Sequence, residues 1–73
     1  MSEEFQELGG RTVESLKEAQ RHIQSAQRCI GEAMRLNALT GNERKLLNRV
    51  KVDLIEPIDQ MEIVVNAIKI LMR

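Results

Sequence analysis

The sequence predicts an all-α protein, an antiparallel helical hairpin, and three observations carry that expectation. Leu16, Ala19, Ile23, Ala26, Ile30 and Ala33 stand at alternating steps of three and four residues, the spacing of an apolar seam along one helix face. Leu47, Val50, Leu54, Met61, Val64, Ile68 and Leu71 repeat the pattern further on. Between the runs lies Thr40-Gly41-Asn42-Glu43. Its Gly-Asn pair breaks a helix, and Thr40 and Glu43 have the spacing of a capping box that starts the next one.

Composition narrows what such a hairpin can do. A chain of 73 residues is near the lower limit at which one core outweighs chain entropy without help from a metal, a disulfide or a second chain. With a single Phe and neither Tyr nor Trp, the core has to come from Leu, Ile, Val, Met and Ala, and no large ligand pocket is expected. Eleven basic residues cancel eleven acidic ones, which removes the general electrostatic case for a nucleic-acid binder. The lone Cys29 has no internal disulfide partner, and no apolar run near the N-terminus reads as a signal or a membrane span. A cytoplasmic location follows.

Taken in order, Ser2 is placed to cap a short acidic turn through Glu3, Glu4 and Phe5, which Gly9-Gly10 then interrupts. Residues 1–10 therefore read as a flexible N-terminal arm and 11–73 as one helical-hairpin domain. Thr12 reads as the N-cap of a first helix reaching about Ala38. The alanines at every second seam position, Ala19, Ala26 and Ala33, let a neighbouring helix approach closely, with Leu16, Ile23 and Ile30 filling the space beside them. Gly31 lies next to the seam and weakens the helix. In the second run, Pro57 lacks an amide hydrogen and crowds the carbonyl of Asp53, so that helix should be kinked or split at Pro57.

After Pro57 the pattern changes. Asp59, Glu62, Asn66, Lys69 and Arg73 fall on one thin polar stripe, and apolar residues cover the rest of the circumference. One facing helix cannot bury them all. Phe5 and Leu8 could fold over the surplus from the N-terminal arm, but a second chain is the simpler cover. The preferred architecture is thus a four-helix bundle formed as a homodimer, with Ile58, Ile63, Val65, Ile70 and Met72 at the interface. Charges support it. The turn end carries Arg28, Arg35, Arg44, Lys45, Arg49 and Lys51 against Glu32 and Glu43, whereas both ends of the chain are acidic. Head-to-tail pairing of two hairpins sets opposite charges side by side.

Chemistry is sparse. His22 and Cys29 lie seven residues apart on one flank of the first helix, but bundle metal sites use closely spaced pairs such as Glu-x-x-His, and none is present. His22 reads as a partly exposed polar flank and Cys29 as a small buried hydrophobe. One His and one Cys assemble no triad, and no glycine-rich loop follows a strand. Neither catalysis nor a cofactor is expected. A basic strip of Arg21, Arg28, Arg35, Arg44, Lys45 and Arg49 is the alternative nucleic-acid face, because small dimeric bundles can bind RNA through such a surface. Zero net charge, the lack of an aromatic platform and the interspersed Glu18 and Glu32 weigh against it. A membrane-surface role for residues 58–72 is disfavoured by the mixed charges on their polar stripe. The expected function is a small protein-protein interaction module of the adaptor, chaperone or anti-regulator type. It would associate with itself and offer its C-terminal helix to a protein partner, with an RNA-binding regulator as the alternative.

Overall fold

The structure, a computed structural model, describes residues 3–73, and the proposed Ser2 cap lies outside them. The described residues are all-α: a long helix α1 (Glu3–Ala33), a second α2 (Gly41–Asp53) and a third α3 (Ile55–Leu71). α2 and α3 run back along α1 antiparallel to it, giving a thin body of 57 × 15 × 11 Å with a radius of gyration of 17.1 Å. A compact chain of this length would have a radius near 11 Å.

Two boundaries differ from the sequence expectation. α1 runs unbroken through Gly9 and Gly10, so residues 3–10 are helix where a break and an arm were expected. Each glycine costs a helix about 1 kcal/mol relative to alanine, and local bonds offset this. Glu7 and Arg11 pair at 2.6 Å across the two glycines, and Gln6 Nε2 donates to the Met72 carbonyl at 2.7 Å. Gly9 also admits the neighbouring helix end, since a methyl group there would meet Met72 Sδ at 2.6 Å. Thr12 is accordingly no cap. Its hydroxyl donates to the Leu8 carbonyl at 2.8 Å in mid-helix. At the other end α1 stops at Ala33, short of Ala38, and Arg44 reaches back to donate to the carbonyls just past it, Met34 at 2.6 Å and Leu36 at 2.8 Å, the latter also accepting from the Leu39 N–H at 3.2 Å. A guanidinium there also suits the negative end of the helix dipole.

The turn follows the sequence closely. Glu43 N–H donates to the Thr40 hydroxyl at 3.2 Å and the Thr40 N–H donates to Glu43 Oε1 at 2.9 Å, a complete capping box at the start of α2. The second helical run is split rather than smoothly bent. The break falls at Leu54, three residues before Pro57, which puts the proline in the first turn of α3. There its missing N–H leaves no intrahelical bond unmade.

The seam itself is rotated from the expected one. Leu16, Ile23 and Ile30 do face α2 and α3, but they are accompanied by Val13, Gln20, Gln27 and Met34, while Ala26 and Ala33 are exposed. On the returning run Leu47, Leu54, Met61 and Ile68 face inward with Lys51, Ile58, Val65 and Met72, while Val50, Val64 and Leu71 are exposed. The polar residues explain the rotation. Gln20 Nε2 donates to the Ile58 carbonyl at 3.1 Å and Gln27 Nε2 to the Lys51 carbonyl at 3.0 Å, so these glutamines belong to the contact, whereas Ala26 and Ala33 do not and Ala19 sits half-buried at its edge. The pairs Gln6 with Met72, Gln20 with Ile58, Gln27 with Lys51 and Met34 with Arg44 keep one register, their residue numbers adding to the same total. Val13 and Val65 fill the remaining rung. They are the two buried hydrophobic residues among those described, Val65 completely. Gly31 faces the Lys51 side chain, whose Nζ would lie 3.2 Å from an added methyl group.

Candidate interaction surface

In two antiparallel helices that pack through the first and fifth heptad positions, the fourth positions of both helices turn to the same side of the pair. Ala19, Ala26 and Ala33 on α1 therefore share one side with Val50, Pro57, Val64 and Leu71 on α2 and α3. Phe5 continues the strip toward the N-terminus, and Leu8 and Leu46 edge it. Val50, Val64 and Leu71 are about half exposed, and Leu8 and Leu46 more so. The side is a low alanine floor along α1 beside a ridge of larger aliphatics. Phe5 and Leu8 extend this face as part of α1 instead of folding over it.

The opposite side is mainly polar. It carries Lys17, Gln24, Asn48, Glu62 and Lys69 around one exposed aliphatic, Ile55, with Gln20 donating to Glu62 Oε2 at 3.0 Å. A broad open depression there is lined by Gly10, Val13, Lys17, Lys69 and Met72.

The interface expected from sequence divides in two. Val65 is fully buried against α1, and Ile58 and Met72 are half-buried in the hairpin seam. Val65 therefore serves the fold of one chain, and Ile58 and Met72 contribute to that fold as well. Ile63 and Ile70 are 69% and 65% exposed, and they lie on the outer edge of α3, away from α1. The exposed residues that the sequence places inside the hairpin are Val50, Val64 and Leu71, together with Ala26 and Ala33. The signal that would have reassigned them is the heptad recurrence of Gln6, Gln20 and Gln27, a side chain long enough to bond a carbonyl across a helix pair.

The basic residues do not line up as one face. Arg21 and Arg28 point outward from α1 and Arg49 outward from α2, so they border opposite edges of the hairpin. Arg44 is engaged at the end of α1. Arg21 bonds Glu18, Arg28 Nη2 donates to Ser25 Oγ at 3.4 Å, and Arg49 Nε lies 3.9 Å from Asp53. Arg35 and Lys45 are exposed near the turn. The Arg21 hydrogen bond, and secondarily its charge, hold the Glu18 carboxyl below the ordinary glutamate range. The Thr40 N–H does the same for Glu43 within the capping box.

His22 is exposed, with Nε2 at 3.3 Å from Glu18 Oε1. Cys29 is exposed as well, which corrects the expectation of a buried thiol. It falls in the heptad position next to the alanine strip, on the rim of the hairpin. No group of three or more His, Cys, Asp or Glu side chains among the described residues is arranged to hold a metal. Among the same residues, no helix is long and apolar enough to cross a membrane. Comparison with protein-family models, with curated proteins and with solved structures finds no match to this chain.

Proposed function

We propose that this chain is a small, non-enzymatic protein-protein interaction module that works in the cytoplasm and associates with itself through its helices as a four-helix bundle. One observation carries the reading. The chain exposes 5759 Å², whereas a compact monomer of 8.4 kDa would expose about 4,600 Å². The surplus is on the order of 1,000 Å², close to the roughly 800 Å² that each partner contributes to a standard interface. The aliphatic side described above is part of this exposed surface. Left in water, that side forfeits stability at about 25 cal/mol per Å² of apolar area, a large loss for a hairpin with two buried valines. The exposed free thiol of Cys29 suits a reducing compartment. Nucleic-acid binding is not favoured, because the arginines and lysine of the sequence strip are divided between two edges.

Sedimentation equilibrium at micromolar concentration tests the reading. The expected result is twice the chain mass, and a stable monomer with full helicity overturns it.

A further inference from the structure

We propose that the side lined by Phe5, Val50, Val64 and Leu71 is where a second copy of this chain seats, and that the two hairpins lie head to tail. The inference rests on the self-association reading and adds to it which face is used and in which direction. Three observations select the face. It holds six of the ten exposed large hydrophobic residues of the helices, counting Phe5, Leu8 and Leu46. The opposite side is lined by Lys17, Glu62 and Lys69, whose burial would cost far more than it returns. The edges that carry Ile63 and Ile70 on α3 and Arg21 and Arg28 on α1 are single helix backs, too narrow for an interface of standard size.

Shape and charge select the direction. A twofold axis lying in the interface and crossing the helices at right angles sets α1 on its own copy and the α2-α3 run on its own copy. Alanine then meets alanine along α1, where backbones can approach closely, and the ridge of Val50, Val64 and Leu71 meets its counterpart. That axis turns the hairpins head to tail. The turn end, where Arg28, Arg35, Lys45 and Arg49 outnumber the acids, comes beside the partner's open end with Glu3, Glu4, Glu7 and Glu14. Parallel seating would instead bring the two basic ends together, so head-to-tail seating is the electrostatically favoured one.

Two measurements on the full chain separate this inference from the reading beneath it. In sedimentation equilibrium, Val64→Glu on α3 and, independently, Val50→Glu on α2 should each raise the dimer dissociation constant at least about 100-fold, since a carboxylate would be buried without a partner. Ile70→Glu on the outer edge should leave it within about threefold. Retained helical circular dichroism in either face variant keeps the comparison valid, and the two variants lie in different helices. In the second measurement, Asn42→Cys in a Cys29→Ser background carries a spin label at the turn. Head-to-tail dimers place the two labels more than about 40 Å apart, at 1.5 Å of rise per residue, and parallel ones place them within about 25 Å. A monomeric wild type defeats both the reading and the inference. A wild-type dimer that tolerates Val50→Glu and Val64→Glu but dissociates with Ile70→Glu overturns the face alone, and a short label distance overturns the direction alone.

Discussion

The two halves of the hairpin share side-chain-to-carbonyl bonds but differ in apolar burial. At the open end, where α1 meets α3, Val13 and Val65 are buried against one another's helices, between the bonds of Gln6 to Met72 and Gln20 to Ile58. Toward the turn, where α1 meets α2, no residue of α2 is buried, and half-buried Ile30 and Leu47 are accompanied by side chains that bond main-chain carbonyls: Gln27 to Lys51, and Arg44 to Met34 and Leu36. Chain connectivity accounts for the contrast. The turn already holds α2 near α1, so few favourable contacts keep them together, whereas the open end closes a loop of more than fifty residues between Val13 and Val65. Loop-closure entropy rises with that length, and apolar burial has to offset it.

Each half can be tested by one substitution, and the open end should respond most. Val65→Ala removes two buried methyl groups and leaves a void, at a cost of about 2 kcal/mol. The same change at exposed Val52 in the turn half should cost nothing measurable, and urea unfolding of the two variants makes the comparison. Equal midpoints would mean that the buried valine pair does not anchor the open end. Next in size, Arg44→Ala should cost about 1 to 2 kcal/mol, because two carbonyls at the end of α1 lose a charged donor. Arg44→Lys should recover only part of it, since a single ammonium cannot reproduce the planar fork. Full recovery by lysine would assign the effect to charge at the helix end. The smallest effect has the opposite sign. Gly10→Ala adds a methyl group where nothing lies within 4 Å and should stabilise the open half by about 0.5 to 1 kcal/mol through helix propensity. A destabilised Gly10→Ala would indicate that the glycine pair is bent or closely approached in solution.

How much of this was legible in the sequence depended on whether local chemistry or tertiary contact decided each element. Thr40 and Glu43 specify their own capping box within four residues, and Pro57 imposes its break through its own ring, so both were readable. Gly9-Gly10 reads as a break by propensity alone, yet Gln6 and Met72, sixty-six residues apart, hold that segment in α1. The seam was readable only to its first heptad positions. Apolar periodicity admits alanine and passes over glutamine, so a contact made by amide-to-carbonyl bonds is assigned to the neighbouring strip. That one-step rotation also separates the residues expected at an interface. It turned Ile58, Val65 and Met72 into seam residues and released Val50, Val64 and Leu71 to the surface.

The glutamine bonds have a consequence for how the hairpin finds its alignment. Gln6, Gln20 and Gln27 each donate to a backbone oxygen, and an equivalent oxygen lies one heptad further along the facing helix, although Gln20 also donates to the Glu62 side chain. The carbonyl contacts resist separation of the helices without resisting a slide by seven residues. Alignment is then decided at the bend, where Arg44 and the capping box fix the start of the return path, at the bond from Gln20 to Glu62, and at the valine rung, which meets a differently shaped side chain after any slip. Lengthening the bend by one heptad would leave the glutamine-to-carbonyl bonds satisfied and the molecule out of step.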